Sequence, residues 1–134
     1  MFLFNSSKKS KAPVVKPSGE LPVGNQAVYV LLPWRGLLVS GTADGVVRIW
    51  EPRQGVCIQE LLGHSQAVVS LVAWEDCIAS GAWDATVRVW DTSTARPAII
   101  LAAHTKPVSC LAVAGPHICS GSWDSSIKVW DVPS

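Results

Sequence analysis

Short runs of Val, Ile and Leu alternate along this chain with clusters of Gly, Ser, Asp, Thr and Pro. Apolar runs of roughly four to eight residues bounded by turn formers predict β-strands rather than helices. Where the alternation is strict it also assigns faces. Val87 and Val89 interleave with Arg88 and Trp90, which puts the two aliphatic side chains on one face of a strand and Arg88 and Trp90 on the other. The pattern predicts strands over about 27–32, 37–42, 46–51 and 56–61, then 67–73, 77–82, 86–91 and 97–102, and finally 107–113, 117–122 and 126–131. Tight turns join the second and third strand of each group: Ala43-Asp44-Gly45, Trp83-Asp84-Ala85 and Trp123-Asp124-Ser125, where Asp and Gly suit turn dihedrals.

The groups are copies of one another. SGTADGVVRIW, SGAWDATVRVW and SGSWDSSIKVW begin at Ser40, Ser80 and Ser120, an interval of forty residues with no gap. The register extends upstream, where GHSQAVVSLVAWEDCIAS (63–80) lies over 23–40 and over 103–120. Trp50, Trp90 and Trp130 share one position, His64 and His104 another, and Asp44, Asp84 and Asp124 a third. A fixed period of this length is the signature of a repeat architecture. It also weighs against catalysis, because structural devices recur from repeat to repeat and active sites rarely do.

The pairing of Gly/Ala-His with Trp-Asp/Glu resembles the WD-repeat β-propeller family, in which each repeat of about 40–45 residues forms a four-stranded blade. The resemblance covers residues 20–134, with repeats at about 23–62, 63–102 and 103–134. It implies an all-β fold of about three four-stranded antiparallel blades. It also implies a structural tetrad in which the indole of Trp90 donates to Ser80, Ser80 bonds His64, and His64 bonds Asp84. Trp130, Ser120, His104 and Asp124 form its second copy. The first repeat departs from the pattern: Gly24 stands at the histidine position and Glu51 replaces the Asp of Trp-Asp. Ser40 and Asp44 therefore lack the bridging imidazole, and this blade is expected to be the least rigid. Closed propellers have about four to eight blades, so three imply a partial, unclosed propeller with two apolar blade faces uncovered. In the family the last blade borrows its outer strand from the N-terminus. The candidate donor here, Val14–Leu21, lies among Pro13, Pro17 and Pro22, which remove ladder donors.

Bulk properties narrow the function classes. The chain has 134 residues, the size of one domain, and at 49% hydrophobic and 16% charged it can bury a core. Residues 1–19 hold Lys8, Lys9, Lys11 and Lys16 without an acid and read as a solvated, disordered basic tail. The remaining seven bases and ten acids leave the repeat body at −3, which offers no general field for phosphate and disfavours nucleic acid as a partner. No apolar stretch approaches the length of a membrane span. Cys57, Cys77, Cys110 and Cys119 form no CxxC pair and lie in apolar runs, so they are expected to be free, buried thiols of a reducing compartment. A cytoplasmic location is expected, with nuclear or organellar alternatives left open by the acid-free N-terminus.

His64, Ser80 and Asp84 have the composition of a hydrolase triad, and so do His104, Ser120 and Asp124. Nucleophilic catalysis needs an exposed serine and an oxyanion hole, and the sequence has no GxSxG elbow. Two ligands from one tetrad do not close a metal site, so neither a metal nor a cofactor is expected. Trp83 and Trp123 precede the turn aspartates, where the first repeat has Ala43. Large aromatics there suit a partner anchor as well as packing between loops. Trp34 and Trp74 end inner strands and fit core or rim packing, and His117 fits a half-buried strand position. Trp50-Glu51-Pro52-Arg53 approaches the Trp-Asp-x-Arg motif of WD-repeat substrate receptors of cullin–RING ubiquitin ligases. The sequence thus points to a non-enzymatic protein–protein interaction module. The alternatives are a scaffold subunit of a large assembly or a ligase substrate receptor. Its partners are other proteins, including blades of another chain or a second copy that cover the open faces, and neither nucleic acid nor membrane.

Overall fold

A computed structural model describes residues 12–94 and 97–133 of the chain; most of the expected basic tail lies outside them. Residues 12–27 carry no strand. From there the described residues form eleven strands: β1 (Val28–Trp34), β2 (Leu37–Thr42), β3 (Val47–Glu51), β4 (Val56–Leu61), β5 (Val68–Trp74), β6 (Cys77–Ala82), β7 (Val87–Trp90), β8 (Ile99–Leu101), β9 (Val108–Ala114), β10 (His117–Ser122) and β11 (Ile127–Trp130). They form three antiparallel meanders, ordered β1-β2-β3-β4, β5-β6-β7-β8 and β9-β10-β11. The first two blades have four strands and the third has three. The strand read over 97–102 is shorter, because Pro97 supplies no ladder donor and pairing begins at Ile99.

The first and second strands of each blade are joined by two-residue turns. Trp34 pairs with Leu37 across Arg35-Gly36, both at positive φ, as a type I′ turn requires. The second and third strands are joined by turns whose third residue is left-handed: Gly45, Ala85 and Ser125 have φ of 82°, 71° and 71°. Asp44, Asp84 and Asp124 each cap the amide two residues on, at 3.2, 3.0 and 2.9 Å. This Asx geometry is why Asp precedes the left-handed residue in every copy. The inner strands β1, β5 and β9 carry the same register shift, which leaves Tyr29, Val69 and Ser109 as bulge residues.

Blades stack face to face. Trp34, Val39, Val47, Ile49 and Leu61 of the first blade meet Val68, Leu71, Ile78, Ala82 and Trp90 of the second in one core. Trp74, Ala79, Val87 and Val89 of the second meet Val108 and Ile118 of the third in another. Burying each Val or Ile side chain is worth about 1.5–3 kcal/mol. The Ser-Gly step on β2 and β6 makes the close approach possible: a Cβ on Gly41 would lie 2.6 Å from Val68 Cγ1, and one on Gly81 2.8 Å from Val108 Cγ1. Each glycine is the seat of the next blade's first strand residue. Trp34 and Trp74 are both core residues, and the Trp74 indole donates across the blade junction to the Pro116 carbonyl at 2.9 Å.

The thiol expectation is corrected. Cys57 and Cys110 are exposed, and Cys77 and Cys119 are half-buried. Cys57 lies on the solvent-facing outer strand β4, and Cys110 and Cys119 belong to the third blade, which has a neighbour on one face only. Partial burial pushes the Cys77 thiol above its ordinary range.

Candidate functional site

The structure brings His64, Ser80, Asp84 and Trp90 together. The Trp90 indole donates to Ser80 Oγ at 2.8 Å, Ser80 Oγ and His64 Nε2 are 2.7 Å apart, and His64 Nδ1 and Asp84 Oδ2 are 2.8 Å apart. The third blade repeats the chain: Trp130 to Ser120 at 2.8 Å, Ser120 to His104 at 2.6 Å, and His104 to Asp124 at 2.8 Å. The directions follow from the donors. The indole can only donate, so Ser80 gives its hydroxyl proton to Nε2, and Nδ1–H goes to the carboxylate. A neutral imidazole satisfies every member. Burial holds His64 below its ordinary pKa, outweighing the pull of Asp84. Burial also opposes ionisation of Asp84, but hydrogen bonds from Thr86 and His64 outweigh it and hold this carboxyl below the usual range. Asp124 is held below that range by Ser126 first and by His104 and the Thr105 amide after it.

This geometry is not that of a nucleophile. Ser80 and Ser120 are buried beneath their tryptophans, and both imidazole nitrogens of each histidine are engaged within the tetrad. What the tetrad does is tie loops: Asp84 Oδ2 also accepts from Ser65 N–H, and Asp124 Oδ2 from Thr105 N–H, each at 3.1 Å. The turn carrying the aspartate is thereby fastened to the loop carrying the histidine.

In the first blade Trp50 still donates to Ser40, at 2.9 Å. The turn aspartate is held here by a side chain of β3. Arg48 reaches Asp44 Oδ2 at 2.8 Å, Thr42 Oγ1 at 2.8 Å and Glu60 at 2.9 Å. Hydrogen bonds from Arg48 and Thr42 more than offset the burial of Asp44, whose carboxyl is held below its ordinary range, and Asp44 in turn raises the Arg48 guanidinium. Ser40 and Asp44 remain without an imidazole between them, as the Gly24 position implies, and Arg48 instead ties Asp44 to Thr42 and Glu60. The sequence did not single this role out, because the second copy, which keeps its histidine, has Arg88 at the same position.

Trp83 and Trp123 occupy the same rim on adjacent blades, with ring centroids 6.3 Å apart. The first repeat has Ala43 at that position, but its bulge turns Tyr29 outward to within 5.5 Å of Trp83. The three rings form one row across three blades, and they remain 47%, 36% and 60% exposed from Tyr29 through Trp83 to Trp123. Packing between loops and exposure to a partner thus coexist in the same residues. The row is fixed from below, since Trp83 N–H donates to Ala67 O at 2.9 Å and Trp123 N–H to Pro107 O at 3.1 Å. Sequence reasoning missed Tyr29, because an aromatic at a bulge carries no motif. His117 is half-buried with Nδ1 unpaired, and Arg53 folds back on Glu51 in its own turn at 3.6 Å.

Repeated tetrads, blade stacking and the forty-residue register converge on one family. The model of the WD domain, G-beta repeat, matches residues 18–51, 55–91 and 95–131. The chain belongs to the WD-repeat family. Among solved structures it is similar to the computationally designed Ika8 protein, with 31% identity and a TM-score of 0.71 over 78% of this chain and 33% of that one. Among curated proteins, Polyadenylation factor subunit 2 of Neurospora crassa is 52% identical over 33 residues, and its Gibberella zeae namesake 48%. Each match covers 25% of this chain and 5% of the relative. The likeness is therefore about one repeat long.

Proposed function

We propose that this WD-repeat chain is a non-enzymatic protein-interaction module whose contact surface is the aromatic row Tyr29, Trp83 and Trp123. The observation that carries this is the row itself: three exposed rings, each against the next, with Trp83 and Trp123 on turns fastened by hydrogen bonds and Tyr29 on a strand bulge. Aromatics held in place by rigid turns lose little conformational entropy on binding and make typical interface anchors. Buried serines and fully engaged histidines support the non-enzymatic part of the reading.

The test is a selection of displayed peptides on the immobilised chain, followed by titration of the enriched sequences. Trp123→Ala should weaken binding by about 2 kcal/mol or more while the melting temperature stays nearly constant. Arg53→Ala, which leaves the row intact, should bind as the parent does. Peptides that bind both variants equally would remove the row from the interface. A scaffold-subunit role is the second reading, favoured by the uncovered apolar faces at the two ends of the blade stack.

A further inference from the structure

The forty-residue register places the same pair of strand positions on the outward face of each blade's third strand. In the first blade these are Val47 and Ile49 and in the second Val87 and Val89, all buried under the blade that follows. In the third they are Ile127 and Val129, exposed to 80% and 63%. The covering side repeats as well. Val68 and Leu71 press on the first blade, and Val108 and Leu111 on the second. Their counterparts in the first blade are Val28 and Leu31, exposed to 43% and 56%. The stack ends in a socket on one side and the matching plug on the other. The glycine seats agree: Gly41 and Gly81 are filled by Val68 and Val108, whereas Gly121 meets only Cys110 of its own blade.

The polar register continues the match. Outer strand β4 pairs Arg48 with Glu60, and β8 pairs Arg88 with Ile100 and Val87 with Leu101. Lys128 is the third-blade counterpart of Arg48 and Arg88, and among the described residues β11 has no outer neighbour. The residues standing forty before Glu60 and Leu61 are Glu20 and Leu21, which carry no strand in this chain and precede β1 at the opposite end of the stack. Pro17 shares its position with Pro97, just ahead of β8, so a proline there does not prevent a short outer strand.

We propose that a second copy of this chain docks head to tail on the third blade. The second copy's Val28 sits on Gly121, its Leu31 packs over Ile127 and Val129, and its Gly19–Leu21 pairs with β11 so that its Glu20 meets Lys128, as Glu60 meets Arg48. The same junction forms at the other end. Rings of blades run from about four to eight, and six is the one multiple of three in that range, so two copies close the ring. This reading rests on blade packing and is independent of the aromatic row.

Sedimentation equilibrium of the 134-residue chain tests it, with the expected mass twice 14.3 kDa. Ile127→Lys and Leu31→Lys, at positions exposed in the single chain, should each give folded monomers. Mixing those two variants should restore association through the one junction still intact. Lys128→Glu and Glu20→Lys should each weaken the dimer several-fold, and a one-to-one mixture of the two should return to parental affinity because both junctions regain opposite charges. A parental chain that stays monomeric at every soluble concentration overturns the proposal, as does an assembly of another size. So does a dimer that survives Leu31→Lys but not Ile127→Lys, or charge variants that fail to rescue each other.

Discussion

Replacing Asp84 by Ala removes the acceptor at the centre of the best-defined polar network in this molecule. His64 Nδ1–H, whose side chain is fully buried, loses its 2.8 Å partner. Ser65 N–H, Thr86 N–H and the Thr86 hydroxyl lose theirs too. A stranded buried donor costs about 1–3 kcal/mol. Ser65 is solvent-exposed, so water replaces most of its lost bond. The Thr86 hydroxyl, 3.2 Å from Nδ1, offers His64 a poorer substitute acceptor. The expected loss is therefore about 2 kcal/mol. Asp44→Ala is the internal comparison. Arg48 keeps Glu60, and the Thr42 hydroxyl keeps the Val46 carbonyl at 3.2 Å. No fully buried donor is orphaned, and the cost should stay below about 1 kcal/mol, the scale of a partly exposed ion pair. Urea unfolding monitored by tryptophan fluorescence measures both, with a shift of midpoint at constant slope reporting stability. Equal losses at the two positions, or a larger one at Asp44, would refute the assignment of the second blade's stability to its imidazole bridge.

Two further outcomes follow from the same structure. Stability should fall with acid in two windows: His64 is depressed below its unfolded value, so its contribution is complete above pH of about 6.5 and is lost as pH drops below that, while the contributions of Asp84 and Asp124 are complete above about 4 and lost below it. Urea midpoints measured across pH should show the upper window vanish in His64→Gln; an unchanged upper window would detach it from His64. Gly81→Ala should destabilise by about 1–3 kcal/mol, because its Cβ would meet Val108 across a packed junction, and Gly121→Ala in the monomer should cost less, because only the exposed Cys110 side chain must give way. Thermal unfolding at low concentration distinguishes these, and the reverse order would contradict the seat assigned to each glycine.

The blades were legible in the sequence because strand alternation, turn chemistry and a forty-residue period all speak for the same architecture. The expected strand positions agree with those observed to within a residue or two at most ends. What the sequence hid depends on three-dimensional neighbours. Arg48 lies in the same register as Arg88, and only the missing histidine at Gly24 makes room for a different use of the side chain. Tyr29 reaches the rim because of a backbone bulge at a position where the other repeats have Val69 and Ser109. Cys110 and Cys119 sit in runs as apolar as any other, and they are exposed or half-exposed because their blade has one neighbour instead of two.

The tetrads and the rim are parts of one device. Trp83 is bonded covalently to Asp84, and Trp123 to Asp124, so the residue that offers an aromatic ring to solvent is adjacent to the residue that anchors its turn. The aspartate is fixed by a histidine from the preceding loop, the histidine by a serine on the second strand, and the serine by a tryptophan on the third. A turn tied at that many points has little freedom left to lose when a partner binds. The buried polar chemistry of the tetrad thus goes into holding the turn in place. In the first blade Arg48 holds Asp44 from β3 without a histidine, the turn carries Ala43, and the aromatic comes from the strand bulge instead. The rigid rim is therefore built by two different routes to one result, a continuous row of rings across three blades.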